Sequence, residues 1–166
     1  MDPLVKGLWH GFEKNHSYLL SLVADLEDPQ MVAQPSGSLP KPLNHAAWVL
    51  CHLKTYRPVI AGLISNGEIV DPIDNPYGMK SSPQMDRSIY PAKHLILEEL
   101  EKGKDSVLSA LENVDPNIWS MGLPLERWQT RWGCRGVAVS YLILNHESTH
   151  LGQLSGWRRA LGLPPA

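Results

Sequence analysis

Two histidines stand four residues apart in the run His146-Glu147-Ser148-Thr149-His150. On an α-helix that spacing is just over one turn, so both imidazoles leave the same face and can hold one metal ion. The carboxylate between them, Glu147, is of the type that serves as general base on water at such an ion. It stands about 100° off the ligand stripe. Support for the ligands, or an ion pair with a neighbouring helix, is the simpler reading.

His-Glu-x-x-His is also the signature of zinc peptidases, which normally take a third ligand from well downstream. Here the sixteen residues after His150 contain no Asp, Glu, His or Cys. A peptidase reading loses its support, and the third ligand is expected from upstream or from another chain. The stripe that carries the pair reads Val139, Leu142, Ile143, His146, His150, Gln153 and Trp157. It is mostly apolar, so both imidazoles are expected inside the protein. Two buried imidazoles need partners and would repel if both were charged; a shared cation resolves both difficulties.

Helices must carry these groups. Asp2-Pro3 is a start signal, and Trp9, Phe12, His16, Leu19, Leu20 and Val23 then recur at three- and four-residue steps, predicting a helix to about Leu26. A stretch rich in Pro, Gly and Ser follows over residues 28–42. A second helix is predicted from Leu43 to about Ser65, with Pro58 expected to kink or split it. Residues 66–90 are irregular and contain Pro72, Pro76 and Pro83; a loop of this length inside a compact domain is often functional.

A third helix is predicted from Pro91 to about Val114, with Leu95, Leu100, Val107, Leu108 and Leu111 as core candidates. Residues 115–135 form a second irregular connection carrying Trp119, Trp128 and Trp132, expected to cover one end of the site or pack a partner subunit, with a core position the simpler reading for any single one. A fourth helix starts after Gly133 or Gly136 and ends at Gly162, where Pro164 and Pro165 block continuation. No strand pattern and no repeat occurs. The expectation is an all-α, four-helix bundle with long connections, as a single domain over residues 1–166.

In the second helix, His52 faces the core with Trp48 and Tyr56 and is the best third ligand. His45 lies on nearly the same stripe, but seven residues is about 10.5 Å of helix rise. One of the two is then the ligand; the other lines a cavity or sits at a solvent-capped helix end. His16 faces inward between Phe12 and Leu19, a position where histidine is more often a satisfied core residue. Trp48, Tyr56 and Gln153 are candidates to line the cavity with His16 and His45. His94, beside Glu98 and Glu101, and His10 are expected at the surface.

The formal charge is −2 and hydrophobic residues make up 43% of the chain, with no basic block. Attraction to nucleic acid or anionic lipid is therefore not expected. No apolar run approaches the roughly 18 residues of a membrane span, and the first residues lack the pattern of a signal peptide. The two cysteines, Cys51 and Cys134, have no motif spacing and suit a reducing compartment. Cys51 is expected in the core and Cys134 in a connection. The default is a soluble cytoplasmic protein.

The last helix, NHESTHLGQLSGWRRALGLPP, and the second, LNHAAWVLCHL, together resemble the DinB/YfiT-like family of metal-binding four-helix bundles. The first resembles that family's closing motif, HxxxH followed by Gly-Gln-Leu, arginines and Leu-Gly-Leu-Pro. The second resembles its apolar helix with Trp ahead of a His-Leu pair. The resemblance implies that His52, His146 and His150 bind one divalent ion, zinc or nickel, and selects His52 over His45.

The resemblance also implies a small-molecule substrate, use of a low-molecular-weight thiol as cosubstrate in an S-transferase or isomerase, and a homodimer. Arg57, Arg158 and Arg159 are candidates to hold the thiol's carboxylates, or else are solvated helix ends. Two other readings stand beside the transferase. One is a small-molecule hydrolase with Glu147 as base; the other is a non-catalytic metal-binding or stress-response protein whose ion staples the bundle.

Overall fold

A computed structural model describes residues 2–36 and 41–166. Among the described residues the protein is all-helical, with no strand. The expected connection over residues 28–42 is described as a 3-10 turn, Asp28–Val32, and flanking coil; residues 37–40 of it lie outside the described residues.

Helix α1 spans Pro3–Val23, α2 spans Ala46–Ser65 and α3 spans Lys93–Glu112. A short α4, Glu126–Trp132, precedes α5, Arg135–Ser140, and α6, Glu147–Ala160. Between α5 and α6 lies a π-turn, Tyr141–His146, whose flanking residues keep right-handed helical dihedrals. The three run on as one rod over residues 135–160, which is the fourth long helix of the bundle.

The helix ends follow from local chemistry. The Asp2 carboxylate accepts from Leu4 N–H at 2.8 Å, capping α1 ahead of Pro3. Asn66 closes α2 in the left-handed region (φ 57°, ψ 29°). Helix α2 begins at Ala46 rather than Leu43, because His45 is its N-cap, and it runs through Pro58 without being split. Pro58 is exposed, so the carbonyl it leaves unpaired lies on the solvent side of the helix. On α3 the expected core face is borne out at four of its five positions and fails at one. Leu95 is 45% exposed, while its neighbour Ile96 is buried along with Leu100, Val107, Leu108 and Leu111. Leu20 of α1 is likewise exposed.

Two apolar clusters fill the bundle. One contains Leu19 and Leu22, Leu50 and Leu53, Ile96 and Leu100, Leu154 and Trp157. The other contains Phe12, Ile60, Leu63, Val107, Leu142 and Ile143. Each long helix passes between them, and the order of passage gives its direction. Helices α2 and α3 run from the first cluster to the second, whereas α1 and α5–α6 run the opposite way. Because α2 and α3 are parallel neighbours, the connection over residues 66–92 must return along the whole bundle. That geometry explains its length.

The residues that fall between the clusters are polar or small: His16, His52, Arg57, Gly103, His146, Glu147 and His150. At Gly103 of α3 an added Cβ would stand 2.9 Å from Arg57 Cβ and 3.0 Å from its Cδ. A Gly103→Ala change gains helix propensity, but it must displace the buried stem of Arg57 rather than a free side-chain end. We expect a net loss of about 1–3 kcal/mol in denaturant unfolding; a variant as stable as wild type would show that this contact yields.

Candidate metal centre

The π-turn and the first turn of α6 set His146 and His150 one above the other, and α2 brings His52 against them. One ligand-type nitrogen from each of the three lies within 4.8 Å of the other two. His52 Nε2 and His146 Nε2 are 3.0 Å apart. Two nitrogens bound to one tetrahedral zinc at about 2.05 Å would be about 3.3 Å apart, so the observed spacing suits a shared ion.

Hydrogen bonds orient two of the rings. His52 Nδ1 donates to the Tyr77 carbonyl at 2.6 Å, and His150 Nδ1 donates to Gln153 Oε1 at 2.9 Å. Carbonyl oxygens only accept, so both Nδ1 atoms carry the proton and both Nε2 atoms keep a lone pair. Metal-binding histidines are generally fixed in this way. His146 differs: its Nδ1 is buried with no partner. Trp48 stacks on His52 at 4.7 Å, and Tyr56 lies 4.8 Å from it and 4.7 Å from His146.

Burial disfavours the charged form of all three rings. It lowers His52, and together with the neighbouring imidazoles it pushes His146 down to about 2 and His150 to about 4. At neutral pH the three are uncharged donors, as metal ligation requires.

The other site candidates are distributed as follows. Trp48 and Tyr56 line a cavity of about 260 Å³ against which the three imidazoles lie. Gln153 is exposed and does not line it; its amide oxygen instead receives His150 Nδ1–H and Asn44 Nδ2–H. His45 is fully buried but away from the cavity. Its Nδ1 accepts from Trp48 N–H at 3.3 Å and its Nε2 donates to the Gln84 carbonyl at 2.9 Å. It is therefore an end residue capped by protein rather than by solvent, and it pins the 66–92 connection. His16 is also outside the cavity. Its Nδ1 accepts from Arg57 Nη1 at 3.0 Å and its Nε2 donates to Glu101 at 2.7 Å. Glu101 thus reaches inward from the expected charged face of α3.

Glu147 is completely buried and paired with Arg57, Oε1 to Nε at 3.1 Å and Oε2 to Nη2 at 3.3 Å. Burial pushes its carboxyl upward against the pull of the guanidinium. Arg57 also donates to the Leu100 carbonyl at 2.6 Å, so it is neither a solvated helix end nor a group at the cavity. Arg158 is occupied elsewhere, with Asp25, the Leu22 carbonyl and the Pro164 carbonyl, and Arg159 is exposed. Cys51 is a core residue, its thiol pushed up to about 11 by burial.

The far wall of the cavity comes largely from the tryptophan-rich connection, as one of its sequence readings had it; Tyr141, Met79 and the two arginines were not foreseen. Trp128, Trp132 and Tyr141 form it, with Met79 from the long connection and Arg127 and Arg131 from α4. A tryptophan every fourth residue beside two arginines was the available signal.

A family model described as the DinB superfamily matches residues 12–154, a span that includes all three clustered histidines. The chain belongs to the DinB superfamily. Neither a curated protein nor a solved structure gives a match. No helix among the described residues of this DinB-superfamily chain is long and apolar enough to cross a membrane.

For the metal-free protein the linkage has a definite sign. The three histidines have folded pKa values below the ordinary value of about 6.5, so as pH falls the unfolded chain takes up protons first. Stability should be full above about pH 7 and decline from about pH 6.5 downward, through about 4 for His150 and about 2 for His146, a slope that His146→Ala makes shallower in chelator-treated protein. Equal slopes would refute this account of the cluster. Replacing Gln153 by Ala should weaken zinc binding about tenfold, read by competition with a chromophoric chelator.

Proposed function

We propose that the protein is a divalent-metal-dependent enzyme acting on a small molecule, and that the reaction is S-transfer from a low-molecular-weight thiol. One observation carries the reading: three neutral imidazoles converge at the wall of a cavity, and no fourth Cys, His, Asp or Glu joins them among the described residues. Structural zinc sites are closed by four protein ligands, whereas catalytic ones keep a position open. Zinc or nickel suits this donor set. When bound there, such an ion acts as a Lewis acid that lets a thiol give up its proton near neutral pH.

The chain's own residues have separate tasks. His52, His146 and His150 hold the ion, with the Tyr77 carbonyl and Gln153 fixing two of the rings. The aromatic wall of Trp48, Tyr56, Trp128 and Trp132 excludes water and gives an apolar substrate a surface to lie on. Tyr56, whose pKa burial raises, stays a neutral phenol. Glu147 serves as a positioning residue: both of its oxygens are engaged by Arg57, which is why the hydrolase reading ranks below S-transfer.

The reading is tested with metal-loaded protein, glutathione or cysteine as thiol, and a chromogenic electrophile. Turnover should fall to background in His52→Ala with helicity retained; stoichiometric metal with no turnover for any thiol tried would leave only the role of staple.

The two roles of Glu147 separate in a mutant pair. Glu147→Gln strands the buried Arg57 charge and should cost about 3–5 kcal/mol of stability. The double change Arg57→Met with Glu147→Leu should recover most of that stability, while metal affinity and turnover fall together because the register set by the pair is lost. A base would instead show turnover absent from a double variant that still binds metal with wild-type affinity.

A further inference from the structure

Arg127 and Arg131 come from one face of α4, and both line the cavity that holds the three histidines. They differ in what neutralises them. Arg127 is bound through two nitrogens by the Asp71 carboxylate, Nε to Oδ2 at 2.8 Å. Arg131 forms no ion pair among the described residues. Its guanidinium carbon instead stands 5.1 Å from the Trp132 ring and 5.4 Å from the Tyr141 ring. Two aromatic faces hold the group in place while the N–H edge of the fork remains free.

A stacked guanidinium without a carboxylate, lining the same cavity as the three clustered histidines, is half of a recognition pair. We propose that Arg131 makes this cavity selective for small ligands that carry a carboxylate at one end and a metal-binding atom at the other. The proposal rests on the cavity being the ligand side of the metal centre. The volume, about 260 Å³, lies just under the usual range for small-molecule sites and suits a compact anion. Asp71 sharpens the selectivity: by occupying Arg127 it leaves one free cationic fork in the cavity rather than two.

Two thiols of similar size test this, 3-mercaptopropionate with a charged end and 2-mercaptoethanol with a neutral one. Each is titrated into cobalt-loaded protein and read by the cobalt–thiolate absorption. Wild type should favour mercaptopropionate, and in Arg131→Gln the ratio of the two dissociation constants should shift about five- to tenfold toward mercaptoethanol. Arg131→Lys should keep part of the preference. Arg159→Gln, on the exposed end of α6, should keep all of it. Equal cobalt stoichiometry in each variant checks the fold.

A ratio unchanged in Arg131→Gln overturns the proposal, as does cobalt-loaded protein that binds neither thiol. Protein that shows the preference but no S-transfer overturns the transferase reading and leaves the anion subsite standing. Failure to bind cobalt removes both.

Discussion

The ion pair between Arg57 and Glu147 is the contact on which the rest of the arrangement depends. Arg57 lies five residues after His52 on α2, and Glu147 directly follows His146 at the start of α6. Pairing them in two-point geometry fixes how far α2 slides along α6 and how each is rotated. That register brings the imidazoles of the two helices together. The other two helices serve the same guanidinium: α3 gives the Leu100 carbonyl and the space at Gly103, and α1 gives the acceptor nitrogen of His16. The Phe12 ring lies 5.0 Å from it as well.

A buried pair of this kind is a poor source of net stability, because two ions lose their hydration to make it. The apolar clusters above and below supply the driving force, and hydrophobic contact alone tolerates sliding and rotation. The polar layer does not. A one-residue shift of α2 would leave a bare guanidinium among leucines, a far larger loss than any apolar mismatch. The cost of burying Arg57 and Glu147 therefore appears as specificity of register, and the three clustered histidines inherit it.

Much of this was legible in the sequence because helical periodicity states which residues share a face. The spacing of His146 and His150, the inward position of His52 and the four long helices all follow from a 3.6-residue repeat. The features that were not legible are those where side chains override the repeat. His45 fits the same stripe as His52, yet its ring nitrogen caps the helix it was expected to join, a role more common for Ser, Thr, Asp or Asn. Arg57 reads as solvated on charge alone; only its partners from the three other long helices put it inside. Arg127 and Arg131 lie on a seven-residue helix, too short for a periodicity to emerge from a segment otherwise read as irregular.

The π-turn is the clearest such override, and it bears directly on the site. Buried side chains in the last rod recur every four residues: Ala138, Leu142, then His150 and Leu154, with half-buried His146 between, and in parallel Val139, Ile143, Glu147 and Leu151. In an ideal α-helix each four-residue step overshoots a full turn by about 40°. Four such steps would rotate the stripe by about 160° and carry either the upstream leucines or the histidines out to solvent. A wider turn over Tyr141–His146 takes rotation back where the core stripe meets the histidine stripe. The Asn15 side chain donates to the Ile143 carbonyl at 3.0 Å and receives Ser148 Oγ–H at 3.2 Å, bracing the widened turn from α1. The same rod can then pack Leu142 and Ile143 into one cluster, Leu151 and Leu154 into the other, and still aim His146, Glu147 and His150 at the layer between them.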